Sequence, residues 1–557
     1  MTINEQMLRR IITLERRADY FDTLEERETF TIATLPASAA NGAVVYVSDG
    51  LKSGEVSGSG TGSWAMWNDT ASEWEYFCIG DYVQLLDGVT KTVKAAGGDY
   101  TTIQDAIDFF SGGKLVTDCT IEVDAGTYSE ALTISSDLHT TGSSELLIEG
   151  DTRDLAGLSY VNGVDSSTAT WAAATGYTAA TSKVVPTTIN GLYYRATTTG
   201  TSGGAEPAWP TAIGGTVVDN TVTWLAEGVP VNRAAQTNGG TTSGACQLVR
   251  SGGSNEILTV TVATVDPDFD ADSWGNGDKV LVWDGSALSE LTISSTSNNT
   301  ITVTTSWPAG IESFGGAFTL LPDRIISQSG GSNPVTVTGS GAKFQGFYFK
   351  SESSSVYSIF AEGGDLVVEN SAIYADTIGI FAQFSRVESA TTSLSIITDA
   401  DRCVLTGSAA QIKVRRSVFI NGRVVAADLS FIICDTSVLT RATANVGYQI
   451  ARNGAGMEAF FCYALNASSG YECTSGGSMR AQSSFAYSCT NGIFAQYNSI
   501  IQAVSASARD CTTGFRATIA GVIDARATST LVYNNTTDYN PAADATAATD
   551  GAVIDRS

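Results

Sequence analysis

From residue 447 onward the chain repeats itself about every 22 residues, and a period of that length leaves few folds open. Blocks begin at Gly447, Gly470, Gly492 and Gly514, in steps of 23, 22 and 22. An apolar residue follows each glycine: Tyr448, Tyr471, Ile493 and Phe515. In the last three blocks Met479, Ile501 and Ile523 share one offset, Ala481, Ala503 and Ala525 a second, and Cys489 and Cys511 a third. Asp538–Tyr539 opens a fifth block with Asp in the glycine position, and Phe-Ala-Gln-aromatic occurs twice, at 381–384 and 494–497. Helical repeats need about 33–47 residues, and a leucine-rich repeat needs a Leu/Asn consensus that is absent here. Short alternating apolar stretches at this period fit a solenoid whose unit is one β-coil, with like side chains stacked on like. Glycine then serves the corners, where the backbone needs positive φ or close approach. The expected fold class is all-β, a right-handed parallel β-helix.

Composition agrees and sets limits on partners. Only 16% of the 557 residues are charged and 56 are glycine, which suits short strands and tight turns. The net charge of −27 argues against nucleic acid or an anionic membrane as partner. No apolar run reaches the ~18 residues of a membrane span, and the start Met1-Thr2-Ile3-Asn4-Glu5 lacks the shape of a signal peptide. The nine cysteines are scattered, without a Cys-x-x-Cys, so neither a disulfide framework nor a zinc site is expected. Synthesis in a reducing cytoplasm follows.

Residues 1–29 read as a short coiled-coil helix. Met7, Ile11, Leu14, Ala18 and Phe21 form an apolar seam with Arg9, Arg10, Arg16, Arg17, Glu15, Glu25 and Glu26 around it. Three heptads are marginal alone, so the seam implies partner helices, and a homotrimer is the favoured assembly; a helix docked on its own domain is the alternative. Residues 30–91 read as a Trp-rich β module, with a strand at Val44–Val47 and a hairpin through Trp64, Trp67 and Trp74.

At 92–164 the pattern changes to Gly98-Asp99-Tyr100-Thr101-Thr102-Ile103-Gln104-Asp105-Ala106-Ile107, then Gly126-Thr127-Tyr128-Ser129-Glu130. This reads as a helical lid, capped by Thr101 or Thr102, followed by the first coil. These two motifs resemble the opening of the pectin-lyase-like β-helix superfamily, and of pectinesterases in particular. The paired Asp motifs of pectinesterases, Gln-Asp-Thr and Asp-Phe-Ile-Phe-Gly, are absent, so the resemblance carries the fold and not the esterase activity. With the heptad start and the Trp module, the chain resembles a tailspike or tail fibre of a tailed bacteriophage. That resemblance implies a homotrimer in the virion tail. Its N-terminus would join tail or adaptor proteins, and its outer part would engage a bacterial surface polysaccharide. A polysaccharide depolymerase, hydrolase or lyase, is the alternative.

Two stretches interrupt the coil rhythm. Residues 165–228 read as an inserted aromatic β module and 229–325 as a second, both leaving the coil after Gly150 and returning near Arg324. Coils resume over 326–540, and 541–557 is a tail. For glycan binding the candidates are Trp209, Tyr194 and Trp171, since a flat pyranose face stacks on an aromatic ring. For catalysis, glycoside cleavage needs two carboxyls about 5–10 Å apart, a spacing that adjacent coils provide. The mid-helix acids are Glu362, Asp365, Glu369, Asp376, Glu388, Asp399, Asp401, Asp428 and Asp435, with Glu362, Asp365, Asp399 and Asp401 singled out. Asp266, Asp268, Asp270 and Asp272 alternate as calcium ligands would, but the remaining EF-hand positions do not match, and no metal or cofactor is expected. The single histidine, His139, lacks a nucleophile elbow beside it and reads as a loop residue.

Overall fold

The computed structural model describes residues 84–153, 169–227, 273–305, 317–351 and 357–540 with gaps of at most five residues, together with isolated strands elsewhere. The seam Met7, Ile11, Leu14, Ala18 and Phe21 lies outside the described residues. Contacts divide the chain into two units, 1–85 and 86–557. In the first, Thr29–Phe30, Val44–Val47, Ser63–Asn68 and Glu73–Phe77 form a four-stranded sheet, with Trp67 opposite Trp74.

The second unit is a right-handed parallel β-solenoid. Each regular coil gives one strand to each of three long sheets. A 13-stranded sheet runs from Thr90–Val93 to Val553–Asp555 and is called here the ladder sheet. An 11-stranded sheet from Gly126–Tyr128 to Leu531–Tyr533 carries the inserted modules and is the module sheet. The other 11-stranded sheet, from Leu132–Ile134 to Thr537–Asn540, is the aromatic sheet.

Alternation along each strand sends every second side chain inward, and parallel register then stacks it on its equivalent one coil away. One such column runs Val335, Ile359, Ile380, Val404, Val424, Tyr448, Tyr471, Ile493 and Phe515, all fully buried. Within it the Tyr448 and Tyr471 rings stack at 5.1 Å. The Tyr471 hydroxyl donates to the Cys462 carbonyl at 2.7 Å, so the core accepts a phenol without leaving it unpaired.

The repeating glycines have a narrower role than their spacing suggests. Gly447, Gly470 and Gly492 do not adopt positive φ; they are sites of close approach. A Cβ on Gly492 would lie 2.5 Å from both the Gly514 carbonyl oxygen and the Ala508 Cβ. Many coil corners are left-handed at residues that are not glycine. Asn421, Asn466, Ser488 and Asp510 turn from the module sheet to the aromatic sheet, and Phe384, Leu429, Tyr497 and Ile519 from the aromatic to the ladder sheet.

The two resemblance motifs prove to be one capping device. The helix Ile103–Ser111 buries Ile103, Ala106, Ile107 and Phe110 against the first coil. Thr102 Oγ1 accepts from the Asp105 N–H at 3.2 Å. The Glu130 carboxylate accepts from the N–H groups of Ile103 and Gln104 at 2.9 and 3.0 Å, filling the helix N-terminus with an anion. The Gln104 side chain in turn bonds both backbone groups of Thr133, at 2.7 and 3.3 Å. Both motifs therefore act in closing the solenoid end.

Leu132–Ile134 pairs directly with Val335–Val337, and Leu146–Glu149 with Ala342–Gln345, so residues 152–323 lie between two consecutive coils. Arg153 clamps the exit. Its guanidinium bonds Asp151 at 2.6 Å and Asp278 at 2.8 Å and lies 3.9 Å above the Trp274 ring. Gly346 makes room, since a Cβ there would sit 1.8 Å from the Asp151 carbonyl oxygen. Within the excursion, a five-stranded sheet spans Ala169–Glu227. A seven-stranded sheet takes its first strand from Tyr160–Val161 and its others from Ala245 to Leu321. The chain thus lays down an edge of the second module before it builds the first.

Candidate functional site

The outward side chains of the module sheet explain why the excursion folds back onto the coils. Phe349 and Ile373 point into the solenoid, leaving Tyr348, Lys350, Ala372 and Tyr374 facing out. Further along, Val418, Ile420, Leu465, Phe485 and Tyr487 continue this apolar exterior. These residues belong to one buried cluster with Trp274, Val280, Phe318 and Leu320 of the second module. At the usual ~25 cal/mol per Å2, covering such a surface is the main force docking the module.

The first module contributes one deep contact. The Tyr193 and Tyr487 hydroxyls meet at 3.0 Å, and burial pushes the Tyr487 phenol well above its usual range. The fully buried Arg509 guanidinium lies 5.8 Å from the Tyr193 ring and 5.6 Å from the Tyr487 ring, with Asp510 at 3.2 Å from Nε. A buried cation is tolerable there because a carboxylate and two ring faces compensate it.

Between the second module and the coils lies an open cleft of about 550 Å3. Its module wall is Leu281, Ala287, Leu288 and Glu290, on the antiparallel strands Lys279–Trp283 and Leu288–Ser297 and the residue before the latter. Its coil wall is Tyr348, Lys350, Tyr374 and Asp376. Lys350 and Tyr374 are register partners, and the Tyr374 hydroxyl donates to Asp376 Oδ1 at 3.2 Å. The module and the coils thus each contribute one carboxylate to the lining, alongside phenol, ammonium and aliphatic groups. This combination suits a polyhydroxylated ligand, with apolar faces for sugar rings and donors and acceptors for hydroxyls. It also has the two-carboxyl composition that glycoside cleavage uses.

The residues singled out in the sequence lie elsewhere. Tyr194 is fully buried with its hydroxyl on the Pro210 carbonyl at 2.7 Å, and the buried Trp171 donates to Asp219 at 2.8 Å. Both are core residues of the first module, which corrects their reading as sugar platforms: a module this small needs its large rings inside. Trp209 is half-buried, its ring 4.1 Å from Tyr194 and its Nε1 bonded to Glu206 at 2.8 Å. Glu362 and Asp365 bracket the turn at Gly363–Gly364, and Glu362 accepts from Gln383 Nε2 at 2.7 Å. Asp399, Asp401, Asp266, Asp268 and Asp270 lie outside the described residues.

No protein-family model and no curated protein matches the chain. Among solved structures it is similar to a glycoside hydrolase, at 9% identity over 84% of this chain and 96% of that one, with a TM-score of 0.30. It is similar to the tailspike gp61 of Pseudomonas phage phi297, at 11% identity over 79% and 70% with a TM-score of 0.25. A third is the gp54 tailspike of Acinetobacter baumannii bacteriophage AP22, solved with an A. baumannii capsular saccharide, at 9% identity over 78% and 66% with a TM-score of 0.20. Likeness at this distance assigns no function.

Of the cleft residues, only Asp376 stood among the acids noted in the sequence. Glu290 lies in a module whose docking no periodicity announces. The available signal was the outward apolar residues of the coils, since a solvated face has no reason to carry Tyr348, Phe485 and Tyr487.

Proposed function

We propose that this chain is a bacteriophage tailspike or tail fibre that binds a bacterial surface polysaccharide. The cleft between the second module and the coils supports the reading, because aliphatic, phenol, ammonium and carboxylate groups line it together. The sequence resemblance supports it. In this reading the N-terminal seam joins three copies and, with the Trp-rich module, meets tail or adaptor proteins. Three weak sites then act together at high effective concentration.

A second reading is favoured by one observation, that Glu290 from the module and Asp376 from the coils line the same cleft. With a glycosidic oxygen between them, one carboxyl would donate the proton and the other would act as base or nucleophile. The test is to incubate the full chain with polysaccharide purified from candidate host strains and follow polymer size by size-exclusion chromatography. Shortening that Glu290→Gln or Asp376→Asn abolishes establishes the depolymerase. Co-elution of intact polymer, lost in Tyr374→Ala, establishes the binding protein. A polymer that neither shortens nor co-elutes for any strain sinks both readings.

A further inference from the structure

The third shared offset of the repeat, Cys489 and Cys511, plays no part in the cleft. Each cysteine follows a left-handed corner, Ser488 or Asp510, where the chain turns from the module sheet to the aromatic sheet. Tyr487 pairs in register with Arg509 before the corner and Asn491 with Thr513 after it, so the two cysteines stand level on neighbouring coils. The backbone ladder runs through the corner. The Thr512 N–H donates to the Cys489 carbonyl at 3.0 Å, and the Thr536 N–H to the Cys511 carbonyl at 3.1 Å. Neighbouring coils lie about 4.8 Å apart, inside the roughly 4.4–6.8 Å between Cα atoms that a disulfide spans.

The side chains approach one another as well. Both thiols are free, and Cys489 Sγ and Cys511 Sγ share a hydrogen bond. Donation from the Cys489 S–H lowers the Cys511 pKa, while the same bond, with burial, raises that of Cys489. Asn535, the next residue of this column, holds the corner in place by accepting from the Cys511 N–H at 2.8 Å. The other described cysteines lack this arrangement. Cys119, Cys403, Cys434, Cys462 and Cys473 are fully buried, whereas Cys489 and Cys511 are each 3% exposed and are flanked by exposed Ser488, Thr490 and Thr512. Register sets Cys434 level with Ala459 and Cys462 level with Ser437, so neither of those thiols stacks on its equivalent.

We propose that Cys489 and Cys511 are an oxidation-sensitive dithiol that closes into a disulfide between two coils, with a small hydroperoxide as the oxidant. The Cys511 thiolate attacks a peroxide oxygen, the O–O bond breaks, and a Cys511 sulfenic acid and hydroxide result. Cys489 sulfur then attacks Cys511 Sγ. The S–O bond breaks, and the hydroxyl leaves as water with the Cys489 proton. Two thiols thereby lose two electrons and one hydrogen peroxide becomes two waters, the first formed when hydroxide takes up the proton that Cys511 had lost. The new bond joins the coils at the point where Tyr487 and Arg509 hold Tyr193 of the first module. A chain made in a reducing compartment thus folds with free thiols and gains this staple on reaching an oxidising one. The inference is independent of what the cleft binds.

The test is to expose the reduced, folded full chain to hydrogen peroxide and remove the peroxide with catalase. Free thiols are then alkylated with iodoacetamide in denaturant, and the digest is mapped by mass spectrometry. One peptide pair joined through Cys489 and Cys511 is expected, separable by dithiothreitol, with Cys434, Cys462 and Cys473 recovered alkylated. Oxidation should slow unfolding at a fixed temperature about tenfold, and reduction should restore the original rate. Alanine already fills this column one coil back, at Ala467, so Cys489→Ala and Cys511→Ala should fold and each abolish the slowing. In Cys489→Ala, dimedone should trap Cys511 as a sulfenic acid; in Cys511→Ala, Cys489 should label about tenfold less. Equal labelling in the two variants overturns Cys511 as the attacking thiol. Free Cys489 and Cys511 after exposure, or a bond that forms only once the chain is unfolded, overturns the proposal. So does a bond to any other cysteine, or one that leaves the unfolding rate unchanged.

Discussion

The ladder sheet and the aromatic sheet are built on the same coils, yet they treat charge in opposite ways. On the ladder sheet some register partners are opposite in sign, as in Glu388 with Lys413 and Glu458 with Arg480, while Glu122 with Glu149 and Asp524 with Asp555 are alike. The Glu458–Arg480 pair closes at 2.9 Å, and Lys343 meets Glu369 at 2.8 Å. Glu388 is partly buried, which disfavours its charge, but Lys413 and Arg386 outweigh that and hold its pKa below the usual carboxylate range. On the aromatic sheet, Glu472 is held above that range by burial among amides. On the first face several acids are paired with lysines and arginines of neighbouring coils. The second keeps a carboxyl at a loss and carries arginines and strained rings beside it. Equal backbone repeats therefore do not imply equal roles; the outward positions decide them.

The scale for breaking either face is set by the interior they share. Gly492→Val should destabilise the chain by about 3 kcal/mol, visible as a large fall in melting temperature, because its Cβ has no space against Gly514 and Ala508. A small effect would mean that the coils can separate locally. Next, Arg509→Met should cost on the order of 2 kcal/mol at neutral pH by leaving the partly exposed Asp510 without its cation, although the apolar stem is kept. Proteolytic nicking of residues 152–323 should rise with it.

The two faces should then give opposite pH slopes. Glu472 has a folded pKa above its unfolded value, so it opposes folding once pH exceeds the unfolded value, and the full cost is reached above the folded value. Glu472→Gln should therefore raise the melting temperature at pH 7, with the gain vanishing below the ordinary carboxylate range. Glu388 is the reverse: its stabilisation is present above the ordinary value and lost as pH falls through its depressed one. Lys413→Met should lower stability by up to about 1 kcal/mol at pH 7, less at high salt, and by nothing in acid. Parallel slopes in thermal melts of the two variants across pH 3–8 would erase the distinction between the faces.

Much of this architecture is legible in the residues. The offsets of Tyr448, Tyr471, Ile493 and Phe515 are the inward column, because stacking equal side chains in register is what a parallel coil requires. The helix Ile103–Ser111 and its Thr102 cap follow from local preferences. Trp171 and Tyr194 misled because aromatic content alone does not tell a small module's core from its surface. Glu130 was visible only as part of a motif; its role at the helix N-terminus needs two segments brought together.

By itself, then, the sequence determined the coil: its period and its inward columns, both written in spacing that a one-dimensional string records. The tertiary structure alone decided which outer face is covered by the modules, which pairs acids with bases of neighbouring coils and which buries a carboxyl among amides. Those outcomes depend on residues 20 to more than 300 positions apart, such as Gln496 with Glu472 or Tyr193 with Arg509, and pairings at such separations are fixed by how the chain closes in space.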